Sequence, residues 1–473
     1  MPALTLRTLP FLLLATAATL ANAQGALPPA VVQTLAAAKI PPSAVAVVVQ
    51  EAGANRDSLS LNGSTPMNPA SVMKLVTTYA ALELLGPAYR WKTEAWVNGS
   101  LREGVLEGEL IIKGGGDPKL DLEAFWILLR ALRGKGLREI RGDLILDRAF
   151  FEAAAGDPAR FDGDPFRPYN VLPDALLVNY KSLRFLFYPE NGAVRIHVEP
   201  RPPALDVVNV LRLTEGNCPE GSAFRNLLKP TFEPERQRAI FAGQYPLSCG
   251  EKDLNVALLS PNDHVAGAMR QLWAETGGTW NGAVREGPAP AGARLLHSHD
   301  SPPLAEIVRN TNKFSNNISA RHLFLTLGAE AAGPPGSAHK AMAAVKGWMA
   351  ARKMPAPELV MENGSGLSRT ERISAASLAA LLQAAWGSPV MPEFIASLPI
   401  VGLDGTMRRR LKNDGVTGRA HIKSGLLSDA RAMAGYVLDR SGRRQVVVML
   451  VNHPNAAESQ AAMDALLRWV YER

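Results

Sequence analysis

Three short stretches of this 473-residue sequence carry side chains able to do chemistry together. In Ser71-Val72-Met73-Lys74 a hydroxyl and an amine stand three positions apart, and such residues share one face of a helix. A serine hydroxyl is a weak nucleophile until a base takes its proton. A lysine serves as that base once burial and neighbouring cations disfavour its charged form. A helix N-terminus adds a positive end beside a developing oxyanion.

Ser315-Asn316-Asn317 offers a second hydroxyl, suited to passing a proton to a leaving amine, and the Asn317 amide for a bound peptide backbone. Lys423-Ser424-Gly425 offers an amine and a hydroxyl for a carboxylate, with a glycine that admits close backbone approach. The N–H groups of Ser71 and Leu426 are the expected oxyanion donors, usually the largest electrostatic term in such catalysis. The chemistry expected is nucleophilic acyl transfer at Ser71, with no metal or cofactor. Singly, each stretch is commonplace: Ser-x-x-Lys occurs in many helices, and Ser/Asn clusters usually mark turns. Their weight lies in the order and in the elements beneath them.

Those elements are legible. Ser43 to Gln50 is β-branched and apolar, as a buried strand should be. Asn62-Gly63 and Pro66 mark turns before a helix starting near Ser71, which carries Leu75, Val76, Tyr79, Leu82 and Leu85 and stops at Gly86-Pro87. Arg419 to Ser424, Ala432 to Leu438 and Gln445 to Asn452 read as an antiparallel meander, with Ser441-Gly442 as a turn. Ala461 to Tyr471 reads as a covering helix. If the N-terminal strand joins this sheet, the middle of the chain is an insertion.

The middle has short strand-like runs at Glu109 to Lys113, Asp143 to Leu146, Val194 to Val198 and Ala204 to Leu213. Turns such as Gly114-Gly115-Gly116-Asp117-Pro118 and Arg201-Pro202-Pro203 punctuate them. The expected division is a signal peptide over 1–23, a catalytic domain over 24–90 and 256–473, and a mainly β region, one or two modules, over 91–255.

Arg7, the apolar run Phe11 to Leu20 and Ala21-Asn22-Ala23 form a signal-peptide pattern, so the chain is expected to be exported to the periplasm. In an oxidising compartment the two cysteines, Cys218 and Cys249, are expected to pair as a disulfide. His297 and His299 lack a third ligand at metal spacing and read as a surface loop. The net charge of +7 is compatible with weak peripheral attraction to acidic headgroups or wall polymers, and equally with an ordinary solvated surface. No basic run interleaved with aromatics points to nucleic acid.

The three stretches in this order are the motif set of penicillin-binding proteins and class A β-lactamases. The chain resembles the class C low-molecular-mass penicillin-binding proteins, the D-alanyl-D-alanine carboxypeptidases and endopeptidases. The likeness also takes in Gly114 to Pro118, Glu362-Asn363-Gly364-Ser365-Gly366-Leu367-Ser368-Arg369, and Leu403-Asp404-Gly405-Thr406 after Leu398-Pro399. It implies an α+β, β-lactamase/transpeptidase-like catalytic domain, an antiparallel sheet flanked by helices, with two domains inserted between the first and second motifs. The long gap between Ser71 and Ser315 favours this over a compact β-lactamase.

By resemblance, Ser71 is the acylated nucleophile, Lys74 its proton acceptor and Ser315 the relay serine. Asn317 contacts the substrate amide, and Lys423 and Ser424 hold the terminal carboxylate. The implied partners are peptidoglycan stem peptides and β-lactams. Several positions depart from the family pattern: Ser424 and Leu426 in the third motif, Asn316 and Arg321 around the second, and Asn363 before Gly-Ser-Gly. Leu426 loses a carboxylate-binding hydroxyl while keeping its N–H. Two rival readings share the fold: a β-lactamase, and a non-catalytic wall-binding scaffold with Leu426 and Arg321 as marks of decay.

Overall fold

The computed structural model describes residues 26–54 and 57–473; the signal-peptide pattern lies outside them. Five antiparallel strands form the sheet nearest the motifs, in the order Ala420–Leu426, Ala430–Leu438, Arg444–Asn452, Val45–Glu51, Asp57–Leu61. The two ends of the chain meet in its middle, where Val47 pairs with Met449.

Both faces of this sheet are covered, which explains the unbroken apolar runs of its central strands. Val45, Val47 and Val49 face a core closed by the helices Pro29–Ala37 and Gln460–Tyr471. Ala46 and Val48 face a second core, shared with the helices Lys74–Leu85, Leu304–Phe314, Asn317–Ala332, Ala338–Ala351 and Ala375–Trp386. The strand alternation that assigns successive side chains to opposite faces thus builds two cores from one strand.

Between these halves lies a seven-stranded sheet built around the long hairpin Lys92–Arg102 and Val105–Gly114. Helices Leu122–Gly134 and Pro261–Glu275 cover it. It takes its last strands from Thr279–Trp280, Val284–Glu286 and Arg294–Asp300, so residue 255 does not mark its end. His297 and His299 sit on that last strand rather than in a loop, paired with Ala95 and Thr93. A further set of short strands between residues 183 and 256 surrounds an aromatic core of Phe185, Phe187, Phe224, Phe241 and Tyr245. There Cys218 and Cys249 are joined by a disulfide.

The single strand expected over Ala204 to Leu213 is two, Asp206–Asn209 and Arg212–Thr214, in different sheets. Asn209 interrupts it: its amide donates to Val194 O at 2.7 Å and its side-chain oxygen accepts from Leu211 N at 3.2 Å. Side-chain capture of nearby backbone of this kind competes with a continuous ladder.

Candidate active site

Ser71 lies in a 3-10 turn, Ala70–Met73, and the α-helix proper begins one residue after that turn, at Lys74. The one-turn spacing holds across the junction: Lys74 Nζ donates to Ser71 Oγ at 3.0 Å. The same amine donates to Asn317 Oδ1 at 2.7 Å and to Ser365 O. Lys74 is fully buried. Burial drives its pKa well below the ordinary lysine value, the charges of Lys423 and Arg321 push the same way, and the Glu371 carboxylate opposes them.

Ser315 caps the helix Leu304–Phe314 in the left-handed region, at φ 57°. The chain then turns directly into the helix Asn317–Ala332, and the Asn316 side chain accepts from Ser319 N as that helix's cap. Asn316 is therefore spent on backbone, whereas Asn317 points to Lys74 and keeps its NH₂ donors for another partner. Ser315 Oγ accepts from Lys423 Nζ at 2.9 Å. Lys423, also fully buried, is held by that burial at a pKa of about 7.

Lys423, Ser424, Gly425 and Leu426 lie on an edge strand of the five-stranded sheet. Leu427 N donates to Ala430 O at 2.8 Å, and Ile422 N donates outward to Pro399 O at 2.8 Å. Antiparallel pairs alternate, so the Leu426 N–H points off the sheet, as Ile422's does. Gly425 lets the strand touch the Ser71 turn: a Cβ there would stand 2.9 Å from Ser71 N. A Cβ on Gly366, at φ 78°, would stand 2.7 Å from the same nitrogen. Two glycines thus keep the space at the Ser71 amide clear.

Arg321 is buried and donates to Val171 O at 2.8 Å, with Glu371 and Glu362 as its charged neighbours. Asn363 accepts from Ser365 N at 2.9 Å and Ser365 Oγ at 2.6 Å, and donates to Leu367 O at 3.0 Å. An amide at this position still ties the Gly-Ser-Gly turn. A cleft of 510 Å³ opens alongside, lined by Arg160, Phe161, Arg321, Asn363 and Arg369 among others. Among the described residues no group of three or more His, Cys, Asp or Glu is placed to hold a metal.

Three positioning residues went unseen in the sequence. Asn68 and Asn452 clamp the segment before Ser71: Asn452 accepts from Asn68 N at 2.7 Å and donates to Asn68 O at 2.9 Å. Asn68 Oδ1 then accepts from Ala70 N at 2.9 Å, holding Ala70 at φ 46°, a left-handed conformation that alanine adopts only under constraint. Glu371 is fully buried, and its Oε1 collects the N–H groups of Glu362, Asn363 and Gly364 at 3.1, 3.0 and 2.9 Å. That turn delivers Ser365 O to Lys74. Asn452 and Glu371 lie hundreds of residues from Ser71, and none of the three belongs to a short motif; only the Asn452 position, ending an apolar strand, hinted that a polar side chain had work there.

Residues 29–472 match the family described as D-Ala-D-Ala carboxypeptidase 3 (S13). The chain is 28% identical over 440 residues to a D-alanyl-D-alanine carboxypeptidase of Actinomadura sp. strain R39, covering 88% of this chain and 79% of that one. It is 25% identical over 422 residues to the carboxypeptidase DacB of Haemophilus influenzae, covering 87% and 85%. In fold it is similar to the crystal structure of penicillin binding protein 4 from Haemophilus influenzae, with a TM-score of 0.75 at 22% identity over 93% of this chain and 99% of that one.

Proposed function

Since this chain belongs to the D-Ala-D-Ala carboxypeptidase 3 (S13) family of peptidases, we propose that Ser71 is its acylated nucleophile and that it cleaves D-alanyl peptide bonds of peptidoglycan. One observation carries this reading. Two buried lysines meet two serine hydroxyls at 3.0 and 2.9 Å, around an amide cleared by Gly366 and Gly425.

Lys74, with its charged form disfavoured, takes the proton of Ser71 Oγ as that oxygen attacks the carbonyl before the terminal D-alanine. The N–H groups of Ser71 and Leu426 receive the developing oxyanion. Asn317 uses its free NH₂ on a substrate carbonyl, and the outer edge of residues 424–426, beyond the stretch taken by Pro399 and Val401, pairs with the extended peptide backbone. Ser315, bonded to Lys423, returns a proton to the leaving amine. Water then resolves the acyl-enzyme. Lys423, with a pKa near neutrality, and Ser424 hold the carboxylate of the departing residue. A β-lactam would acylate the same hydroxyl. The signal-peptide pattern supports export, with the periplasm as the site of this work.

Incubation with a labelled penicillin, followed by peptide mapping, tests the assignment. The label is expected on Ser71 and is expected to vanish in Ser71→Ala. Retention of label in that variant defeats the reading.

A further inference from the structure

The strand's last side chain, Leu426, is 58% exposed. Residues 424 and 426 project from the same face of the strand, so an isobutyl group stands next to the Ser424 hydroxyl and offers it no hydrogen bond. Another hydroxyl does. Thr406 Oγ1 lies 3.0 Å from Ser424 Oγ, and nothing in the mechanism above uses it.

Thr406 is held there by a built turn. The Asp404 carboxylate accepts from Lys313 Nζ at 2.5 Å and from Ile400 N at 2.7 Å. Gly405 has φ 54°, and a Cβ on it would stand 2.5 Å from Lys313 O. The turn is therefore pinned to the end of the helix whose cap is Ser315. Ser424 Oγ bonds Thr406, while Lys423 Nζ donates to the Ser424 backbone carbonyl at 2.7 Å and to Ser315 Oγ at 2.9 Å.

We propose that Thr406 is a specificity-determining residue: with Ser424 it forms a two-hydroxyl cradle for a free substrate carboxylate, supplying the hydroxyl that position 426 lacks. Empty, the two hydroxyls bond to each other. A carboxylate is an acceptor only, so on its arrival each hydroxyl turns its hydrogen onto one carboxylate oxygen. One neutral hydrogen bond is exchanged for two charge-assisted ones, beside the Lys423 amine. The ligands so selected are peptides ending in a free α-carboxylate and β-lactams that carry one. The inference rests on the assignment of Ser71 and of the Lys423 strand.

The test compares acylation of Ser71 by a penicillin and by its methyl ester in the full chain and in Thr406→Val and Thr406→Ser. Thr406→Val, which keeps shape and loses the hydroxyl, is expected to slow the free acid about tenfold or more and the ester far less, so that the preference for the acid shrinks. Thr406→Ser is expected to keep it. A Thr406→Val rate on the free acid within twofold of the parent overturns the proposal, as does an equal loss on acid and ester, or a Thr406→Ser loss as large as that of valine. Absence of penicillin labelling in the parent chain would instead defeat the Ser71 assignment itself.

Discussion

Lys74 and Lys423 are the same residue type and equally buried, yet the regions around them are built differently. Lys74 stands on the first turn of a helix and is enclosed by acceptors from three other segments, Ser71, Asn317 and Ser365. Burial and cationic neighbours disfavour its charged form. Lys423 stands on an edge strand beside half-buried Ser315 and Ser424, near a rim where Phe314 and Leu426 are exposed. Burial alone brings it to about 7, where an arriving carboxylate can restore its proton. Burial removes charge from a lysine, and the choice between base and binder falls to the groups left around it.

The largest effects come from removing the two amines. Lys74→Met is expected to cut penicillin acylation about 10³-fold, the scale of a lost general base. Lys423→Met is expected to act mainly on substrates with a free carboxylate. Lys423→Met should also leave the fold more stable near neutral pH, because an amine held by burial below its ordinary pKa gives way to an apolar side chain of similar length. The pH dependence has a definite sign for Lys423. Its folded pKa of about 7 lies below the ordinary 10.5, so the unfolded chain binds the proton better. The gain in Lys423→Met is therefore full below pH 7 and fades as pH rises toward 10.5. Urea unfolding at pH 6 and pH 10 checks it; a larger gain at the higher pH would break the comparison.

A smaller change sharpens it. Glu371 opposes the depression of the Lys74 pKa and does not figure among the causes for Lys423. Glu371→Gln keeps an acceptor for the Glu362–Gly364 turn and removes the charge. The acid limb of the acylation rate is expected to move to lower pH, by up to about one unit, while the basic limb stays. Movement of both limbs would show that the two amines share one electrostatic field. Smaller again, Asn452→Ala releases the clamp on Asn68 and the strained Ala70. It is expected to cost about 1–2 kcal/mol of stability and to slow acylation of Ser71 by about tenfold through lost positioning, with the pH profile unchanged.

How much of this was written in the chain differs from residue to residue. The Ser71–Lys74 pair was legible because helical periodicity is local and survives even a 3-10 start. The strand carrying Lys423 was legible from its place beside the two apolar strands of the meander, Ala432 to Leu438 and Gln445 to Asn452, and the turn between them. Asn68, Asn452 and Glu371 were not, because each acts with a residue distant in sequence: Asn68 and Asn452 are 384 positions apart, and Glu371 acts on Lys74; Thr406 stood in a legible segment, but its contact with Ser424 did not show. The split of residues 204 to 213 into two strands was equally hidden, since one asparagine side chain decided it.

The sequence alone determined the periodicities, the two-sided apolar strands that must lie inside, the order of the three motifs and the family to which they point. Local geometry and hydrophobic patterning suffice for those. Only the tertiary structure decided which amines have their charged form disfavoured, which amides stand clear, and which hydroxyl stands next to Ser424. Those properties depend on burial and on contacts between segments hundreds of residues apart, and no window along the chain contains both sides of such a contact.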